Sequence, residues 1–409
     1  MTPSTGQGGG AGGGKLSAAQ LNSIARAAIK SKAIKMTQQI FSQTFGAPTN
    51  TANISATNPI INVQPRNVGL IRGFWVQLVA TINNQSGETV SLTDFGPANL
   101  LTQILFNDLN NNTRVQTTGW HLAFVNSVRQ RRPFGTALVY STGFDDPTKY
   151  GSNWTVISAP ATISSAAQGT VNMWYFVPLA YSEDDLRGAV YANVVNATMQ
   201  LNLTPNATPC VLASTDQTSA VYSTAAGGTA SSCVISQLQV TVYQEYLDQL
   251  PTTQQGGVLL PVLDLATIYE LKNTSLTAIT ANQDFPVQYS NFRDFLSTFA
   301  IYVNTGSSGA RGTGADINTW ALQSANFTNI WKLIPSLIAL QTRNHLQVDL
   351  PPGVYYFSSR QKPISTTQYG NMQLVLNALT ANTGAYLLIG YEDFGLVQTL
   401  TMAGSLAAS

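Results

Sequence analysis

Apolar positions follow a helical spacing in the first part of the chain. Residues 16–45 contain no Gly or Pro, alanine is frequent, and Ser17 stands where a helix N-cap is expected. The residues on one side of this helix are apolar: Leu21, Ile24, Ala25 and Ala28. The spacing predicts an N-terminal helix within residues 16–47. The glycine-rich leader before it, residues 1–15, has too few apolar side chains to order itself.

After residue 48 the pattern changes to short apolar runs separated by clusters of Asn, Gly, Ser and Pro. The runs are rich in β-branched and aromatic residues, and each predicts a strand: 69–82, 169–179, 199–203, 234–246, 299–303, 353–357, 372–376 and 385–391. Helical insertions are expected near residues 120–128 and 329–340, the second broken at Pro335. Many short strands with long polar loops favour antiparallel sandwiches or jelly rolls.

An internal repeat is visible in the strand pattern. A shift of 221 residues aligns four identities and two similar positions, Arg72, Phe74, Leu78, Ile82, Asn83 and Ser86 with Arg293, Phe295, Phe299, Val303, Asn304 and Ser307. The Pro- and Gln-rich segment 251–257 lies between two strand-rich halves. We therefore expect an all-β protein of two tandem jelly rolls with this division: leader 1–15, basic helix 16–47, first jelly roll 48–250, linker 251–257, second jelly roll 258–398 and tail 399–409.

The composition changes the picture from a free monomer to an assembling protein. Charged residues make up 10% of the chain and hydrophobic residues 44%, which excludes charged disordered proteins, coiled coils and heavily basic nucleic-acid binders. Because surface charge keeps monomers soluble and apart, its scarcity favours self-association. Two cysteines make no disulfide framework for a chain this long, and a reducing compartment is expected. The chain shows neither a signal-peptide layout nor a run of 18 apolar residues, so we expect it neither to be secreted nor to span a membrane.

The basic residues are concentrated at the N-terminus, since no acidic residue precedes Glu88. Five bases lie on or next to the predicted helix: Lys15, Arg26, Lys30, Lys32 and Lys35. A basic, partly apolar helix behind a flexible leader either lies on anionic lipid or packs on a neighbouring subunit. Both alternatives are open on the sequence, and they do not exclude each other.

Candidate catalytic residues are few. The two histidines, His121 and His345, are each more typical of a packed side chain than of a base or metal ligand. The HExxH, CxxC, GxSxG and Walker patterns are absent. We expect no enzymatic activity, no cofactor and no metal.

Three further clusters have a chemical and a structural interpretation. Asp145 with Asp146, and the acidic residues 183–185, are of the type that binds divalent cations, but a turn before Pro147 and a helix N-terminus capped by Ser182 are favoured. The glycines of residues 309–316 suit an exposed loop better than a nucleotide fold. The basic residues Arg129, Arg131 and Arg132 suit a phosphate or an acidic neighbour, and without interleaved aromatic residues they predict no sequence-specific nucleic-acid binding.

Several long strings resemble the major capsid protein of tectiviruses, tailless icosahedral phages with an internal membrane. They are TDFGPANL (93–100), TTGWHLAFVN (117–126), APATI (159–163), VPLAYSEDDLRGAVYANV (177–194), TVYQEYLDQLP (241–251), FLSTFAIY (295–302) and PPGVYYFSSRQKPI with QYGN (351–371). The leader departs from the family, because it is polyglycine with five bases by residue 35 where the family has a Gln- and Ala-rich start.

The resemblance implies a double jelly roll of two eight-stranded barrels. It also implies pseudo-hexagonal homotrimers that tile an icosahedral shell, with the N-terminal helix directed toward the internal viral membrane. The implied partners are further copies of the chain, that membrane, and minor capsid and vertex proteins; the implied location is the virion, assembled in the cytoplasm of a bacterial host. The alternative is a receptor- or carbohydrate-binding β-sandwich virion protein, for which Asn- and Thr-rich loops and exposed aromatic residues are also suitable.

Overall fold

The computed structural model describes most of the chain. The described residues are 16–49, 51–85, 87–130, 159–193, 198–212, 218–224, 233–253, 256–289, 293–305, 310–346 and 350–396. Asp145, Asp146, Arg131, Arg132 and Lys15, which the sequence singled out, lie outside them.

Short helices interrupt a chain that is otherwise built of strands. The helices are α1 (Ala18–Lys32), α2 (Ile54–Thr57), α3 (Gly119–Gln130), α4 (Val262–Leu265), α5 (Pro335–Leu346) and α6 (Thr366–Tyr369), with a 3₁₀ turn at Gly96–Leu100.

The strands up to residue 250 are β1 (Ile34–Gly46), β2 (Ile61–Val63), β3 (Leu70–Asn84), β4 (Val90–Leu92), β5 (Leu101–Asn107), β6 (Thr113–Thr117), β7 (Thr162–Ile163), β8 (Gln168–Pro178), β9 (Val190–Tyr191), β10 (Gln200–Pro205), β11 (Cys210–Val211), β12 (Tyr222–Ser223) and β13 (Cys233–Asp248). The strands that follow are β14 (Thr267–Thr277), β15 (Asp284–Gln288), β16 (Arg293–Thr305), β17 (Ala310–Arg311), β18 (Ile317–Ser324), β19 (Trp331–Leu333), β20 (Val354–Ser358), β21 (Ile364–Ser365), β22 (Met372–Ala378) and β23 (Tyr386–Leu396).

The strands form two rolls with the same order. Roll 1 consists of the sheets β1-β13-β3-β8 and β2-β10-β5-β6, and roll 2 of the sheets β14-β23-β16-β20 and β15-β22-β18-β19. The two sheets of each roll pack through their inner faces, as shown by the ring contacts Phe74–Phe106 (5.3 Å) in roll 1 and Trp320–Tyr355 (5.5 Å) in roll 2. This confirms the expected double jelly roll of two eight-stranded units.

Strand β3 shows why the sequence pattern predicts the strands well. Phe74, Val76, Leu78 and Ala80 alternate toward the core of roll 1 and are fully buried, while the residues between them lie on the other face and are partly exposed. The eight predicted strand runs all fall on strands of the structure.

The N-terminal helix is shorter than the predicted span of residues 16–47, and this prediction is corrected. Helix α1 begins after Ser17, whose side chain and that of Gln20 form a capping box, and it ends at Lys32. The next residues form β1, which pairs antiparallel with β13 from Ile34↔Asp248 to Gly46↔Gln237. Pairing with a long buried strand outweighs the weak helical preference of this segment. Roll 1 therefore begins at Ile34 and not at residue 48.

Helix α5 corrects the expectation that Pro335 breaks a helix over residues 329–340. Pro335 is its first residue, where the missing N–H costs no hydrogen bond, and the residues before it form β19. Helix α3 lies where the first insertion was predicted.

The internal repeat is present at the level of strands. Arg72 and Arg293 lie on β3 and β16, which hold the same place in the two rolls. The predicted match of Leu78 with Phe299 is wrong, because Leu78 faces the core of roll 1 whereas Phe299 lies against α3 on the other side of its sheet. Both strands contain a bulge, at Arg72 in β3 and at Leu296 in β16, and these bulges change the residue match along the strands.

The two rolls are joined along their sheets and not only through the chain between them. Strand β6 of roll 1 pairs in parallel with β14 of roll 2, at Leu271↔Val115 and Lys272↔Gln116. The buried cluster of roll 1 continues into roll 2 through Phe299 and Phe394. The rolls therefore share one continuous packed region.

A disulfide joins Cys210 and Cys233, at the first residues of β11 and β13, with 5.5 Å between their Cα atoms. The sequence pattern does not predict this disulfide. The two cysteines are 23 residues apart in the chain, and only the fold shows that their strands lie side by side.

Candidate assembly surfaces

Helix α3 of roll 1 fills the space between the two rolls. Its residues are buried on almost every side, and Phe124 stacks on Phe299 of roll 2 with ring centroids 5.5 Å apart. His121 packs edge-on against the same phenylalanine ring at 5.9 Å. This helix contributes aromatic contacts from roll 1 to roll 2.

His121 is a packing residue of this contact. Its Nδ1 lies 2.6 Å from the Thr117 hydroxyl oxygen, and its ring lies against Gly390 of β23, where a Cβ would overlap it. Burial lowers the pKa of His121 to about 4, so the ring is neutral at pH 7. The other histidine, His345, is exposed on α5.

A buried carboxylate, Glu392, lies next to α3 at the same contact. It accepts hydrogen bonds from the Arg360 Nε at 3.0 Å and from the Tyr269 and Ser297 hydroxyls, and Arg129 of α3 lies 3.6 Å away. Burial alone would raise the pKa of Glu392, but the two guanidinium charges and the hydrogen bonds outweigh it and lower the pKa to about 2. Arg129, expected to meet phosphate or an acidic neighbour, meets an acidic residue of its own chain.

A second charged cluster lies one residue further along β23. Asp393 stands opposite Glu270 of β14, and Arg293 lies 3.0 Å from Glu270 and 4.0 Å from Asp393. Burial and the charge of Glu270 raise the pKa of Asp393 to about 7. Sequence reasoning missed Glu392 and Asp393, although two adjacent acids inside an apolar strand run are a visible signal of a buried ionic network.

The N-terminal helix lies on the body of its own chain. Asn22, Ala25 and Ile29 form its buried face, and Asn22 Nδ2 donates to Asp264 at 2.9 Å. The Arg26 guanidinium also pairs with Asp264, which is 2% exposed. Arg26 therefore contributes to an intramolecular contact.

The acidic residues 183–185 form a turn and not the predicted helix N-terminus. The Ser182 hydroxyl accepts from the Asp185 N–H at 3.0 Å, but no helix follows in the described residues 159–193. The acids instead pair with the N-terminal segment: Lys30 with Asp184, and Lys35 Nζ with Glu183 at 2.8 Å. The sequence-based expectation missed this because the partners are about 150 residues apart in the chain.

The five predicted arm residues thus have different surroundings. Arg26, Lys30 and Lys35 pair with acids of the same chain, Lys32 is exposed, and Lys15 lies outside the described residues. Two large apolar side chains of α1 are exposed, Leu21 at 48% and Ile24 at 47%.

The outer face of the β1-β13-β3-β8 sheet carries aromatic side chains that are partly exposed. Trp75 lies 4.7 Å from Phe176 between ring centroids, and Trp174 stacks on Tyr243 at 6.1 Å. We call this surface, with Gln77 at its centre, the outer face of roll 1. The matching face of roll 2, which carries Phe299, is covered by α3.

Helix α5 of roll 2 exposes two large apolar side chains. Ile338 and Thr342 face roll 2, whereas Leu337 and Leu340 are 39% and 55% exposed. Exposed apolar residues on a sheet face and on a helix are typical of surfaces that bury on association.

The remaining sequence candidates form no chemical site in the structure. Residues 310–316, expected as an exposed loop, form β17 and a turn in which Asp316 accepts from the Thr313 N–H at 2.9 Å. Over the described ranges, no group of three metal-ligating side chains comes together and no helix has the length and hydropathy needed to cross a membrane.

Two family models match the chain. The model described as P3 major capsid protein N-terminal matches residues 17–250, and the one described as P3 major capsid protein C-terminal matches residues 266–408. The chain belongs to the P3 major capsid protein family. The major capsid protein P3 of Enterobacteria phage PRD1 is 42% identical over 391 residues, which cover 95% of this chain and 94% of that protein.

Solved capsid structures share the fold of this P3 family member at low sequence identity. The crystal structure of the STIV MCP, from Sulfolobus Turreted Icosahedral Virus, has a TM-score of 0.62 at 13% identity and covers 92% of this chain and 100% of its own. The PBCV-1 virus capsid has a TM-score of 0.52 at 13% identity and covers 88% and 94%. The resemblance to tectivirus capsid proteins and the double jelly roll are thereby confirmed, and the protein is a capsid component of a bacteriophage virion.

Proposed function

We propose that three copies of this capsid protein form a closed trimer with a pseudo-hexagonal outline, and that these trimers tile an icosahedral shell around an internal membrane. The observation that carries the proposal is the lateral contact of two rolls with the same strand order within one chain. Three such chains supply six rolls with the same strand order. When each copy contacts the next in the same head-to-tail way, the copies close into a ring if the rotation between neighbours permits it.

The exposed surfaces support assembly. The outer face of roll 1 has partly exposed aromatic side chains, and α5 exposes Leu337 and Leu340, on a protein with a charged fraction of only 10%. Obligate interfaces bury surfaces of this kind, often well over about 2,000 Å² in total. The role is mechanical, and we assign no reaction to any residue.

In this assembly the N-terminal arm faces the membrane or a neighbouring subunit. Arg26, Lys30 and Lys35 are already paired within the chain. The exposed side chains of Leu21 and Ile24 therefore make the main contact, and Lys32 adds charge beside them. Minor capsid and vertex proteins complete the shell, which assembles in the cytoplasm of a bacterial host.

The trimer is tested by gel filtration with light scattering on the full chain. The expected mass is about three times the 43.7 kDa of one chain, stable on dilution to micromolar concentration. A monodisperse species with the mass of one chain contradicts the proposal. Electron microscopy of particles assembled from purified protein then shows whether trimers form closed shells.

A further inference from the structure

The disulfide of roll 1 joins two sheets at one end of the roll. Cys233 is the first residue of β13, in the sheet β1-β13-β3-β8, and Cys210 is the first residue of β11. Strand β11 belongs to a small sheet with the order β11-β12-β4-β7, whose strands have two or three residues each. We call this small sheet the end sheet. It lies where β3 ends and where β8 and β13 begin, because β4 follows β3 and β7 precedes β8 in the chain.

Cys233 is held in place by contacts that do not involve the disulfide. It stands opposite Asn84 in the pairing of β13 with β3, which continues along both strands to Leu247↔Leu70. The Asn84 side chain is fully buried, and its Nδ2 donates to the Ile163 carbonyl of β7 at 3.0 Å. Backbone pairing and a buried amide therefore fix the position of Cys233 against the end sheet.

Cys210 is held in a similar way. In the parallel pair of β11 with β12 it stands opposite Tyr222, whose N–H donates to the Pro209 carbonyl at 2.9 Å. The buried Asn206 side chain, just before this strand, donates to the Asn99 carbonyl at 2.9 Å. These contacts set the 5.5 Å between the Cα atoms of the two cysteines, a usual separation for a disulfide. We therefore expect two reduced cysteines to lie at the same positions, ready to join without a change of fold.

The end sheet is the part of roll 1 that gains most from the bond. Its strands are short, as in the pairing of β12 with β4 at Tyr222↔Leu92 and Ser223↔Ser91. Segments with few such hydrogen bonds open locally at a low free-energy cost. A covalent link to the first residue of β13, a strand of 16 residues, fixes the end sheet to the body of roll 1.

The disulfide lies at the end of roll 1 opposite helix α1. Strand β13 begins at Cys233 and ends at Asp248, which stands opposite Ile34 just after α1. At ~3.3 Å per residue, the two ends of β13 are about 45–50 Å apart. In the proposed shell, where α1 is on the side of the internal membrane, the disulfide therefore lies toward the outer surface, which the medium reaches.

The proposed place of assembly does not favour a disulfide. Thiol pools keep the cysteines of cytoplasmic proteins reduced, whereas disulfides persist in oxidising surroundings. We propose that Cys210 and Cys233 stay thiols in the bacterial cytoplasm, where the chain folds and assembles, and that they join after release of the virion, which fixes the end sheet to roll 1. This inference rests on the proposed function, from which it takes the cytoplasmic assembly and the outward position of the disulfide.

The bond forms by exchange with a small-molecule disulfide such as oxidised glutathione. The thiolate of one cysteine attacks the small disulfide and releases a first thiolate, and the other cysteine then attacks the mixed disulfide and releases the second. The two cysteine sulfurs lose two electrons and two protons in all, and the small disulfide is reduced to two thiols. Without a catalyst this exchange takes about minutes to hours.

Thiol labelling of the full chain tests the order of events. Cells that produce the protein are quenched in acid, and the denatured chain is labelled with a maleimide that adds a resolvable mass for each free thiol. We expect two labels per chain from cells quenched before lysis, and none after lysis and incubation with oxidised glutathione. The double variant Cys210→Ser/Cys233→Ser is the control and takes no label in either sample. Chains from quenched cells that take no label, or released chains that keep glutathione as a mixed disulfide, overturn the inference.

Hydrogen exchange tests the effect on the end sheet. The backbone amides of residues 90–92, 162–163, 210–211 and 222–223 are expected to exchange at least about tenfold more slowly in the oxidised than in the reduced wild-type protein. The matched control is β19, a strand of three residues in roll 2, where no difference is expected. Equal exchange of the end sheet in the two redox states overturns its fixation by the bond. Loss of the fold in the reduced wild-type protein would show that folding needs the bond, and it overturns the inference as well.

The outcomes also separate this inference from the proposed function. Trimers whose cysteines are already joined in quenched cells leave the trimer standing and overturn the redox step. A monomer by light scattering overturns the trimer, while a change from two labels to none in that monomer still supports the redox step.

Discussion

Glu392 shows how a buried charge is held at the contact between the two rolls. Arg360 and Arg129 neutralise it, and the hydroxyls of Tyr269 and Ser297 satisfy its oxygens. Arg360 and Glu392 belong to roll 2, whereas Arg129 belongs to α3 of roll 1. The network therefore fixes the position of one roll against the other as well as stabilising each.

Replacing Glu392 with Gln is expected to destabilise the fold strongly. Two guanidinium groups are then left in a dry site without a counter-charge, which costs about 3–5 kcal/mol. The matched control is Glu183→Gln, which removes a carboxylate 75% exposed and paired with Lys35, where the expected loss is below about 1 kcal/mol. Denaturant unfolding at pH 7 measures both losses, and similar values for the two variants would argue against the role of the network.

Asp393 is expected to make stability fall with rising pH. Its pKa in the folded protein, about 7, lies above its ordinary value of 3.8 because burial and Glu270 oppose its charge. Between these two pKa values the folded protein therefore keeps a proton on Asp393 that the unfolded chain has lost. The contribution of this group to the free energy of unfolding is fully present below about pH 4 and is lost as the pH rises through 7. Between pH 5 and 8 the loss from this group is on the order of a few kcal/mol.

The variant Asp393→Asn isolates this effect, because it cannot lose a proton. Its free energy of unfolding is expected to change less than that of the wild type between pH 5 and 8, with a relative gain at pH 8. Urea unfolding at several pH values measures the difference between the two proteins. Parallel pH profiles would show that Asp393 keeps an ordinary pKa.

Sequence reasoning predicted the chemistry of single residues unevenly. It weighed His121 correctly as a packed side chain, since a lone histidine beside Trp120 has no obvious partner. It did not find the pairs of Arg26, Lys30 and Lys35, because their acidic partners lie more than 100 residues away and meet them only in the fold. An excess of one charge in a segment indicates a partner of opposite charge, but it does not say whether that partner is a membrane or the same chain.

At the scale of elements, the contact between α3 and β23 depends on a glycine. The His121 ring occupies the space where a Cβ at residue 390 would stand. Gly390→Ala is expected to destabilise the protein by about 1–3 kcal/mol, because the buried ring must move within a packed contact. Thermal or denaturant unfolding measures this loss.

A second substitution, at His121, shows whether the His121 ring causes the loss of stability in Gly390→Ala. His121→Ala makes a cavity and is destabilising by itself, but it opens the space that the new Cβ needs. The double variant is therefore expected to be more stable than the sum of the two single losses predicts, by at least about 0.5 kcal/mol. Additive losses would show that Gly390 is required for a different reason.

The elements themselves were predictable where one physical signal dominated. Strand runs such as residues 69–82 alternate or are continuously apolar, and each appears in the structure. The sequence predicts a helix over residues 34–45 because this segment lacks Gly and Pro, but the absence of helix breakers is a weaker signal than pairing with β13 in the fold. The sequence predicts a break at Pro335, although proline is equally typical of a first helical position.

At the scale of the whole molecule, the two rolls repeat the same strand order but differ in what covers the outer faces of their sheets. Among the described residues, α3 covers the outer sheet face of roll 2, whereas the aromatic side chains on the outer face of roll 1 are partly exposed. The sequence predicted two rolls from the strand pattern and a 221-residue shift, but the asymmetry of their surfaces needs the positions of side chains that no periodicity gives.

Two N-terminal deletions distinguish the role of α1 from that of β1, which is a strand of roll 1. Removing residues 1–32 deletes the leader and α1 but leaves β1 paired with β13. Removing residues 1–46 also deletes that strand, which exposes the backbone edge of β13 and the side chains of roll 1 that contact Phe41 and Phe45. The shorter deletion is expected to keep cooperative unfolding and the trimer mass, and the longer one to give aggregated or partly unfolded protein.

The same pair of deletions tests what the arm does in the assembly. If α1 contacts the internal membrane, the protein lacking residues 1–32 is expected to float with anionic lipid vesicles several-fold less than the full chain, with its fold and trimer mass retained. Undiminished flotation would place the lipid contact elsewhere. A trimer that survives the loss of residues 1–46 would show that β1 is dispensable for the fold and for trimer formation.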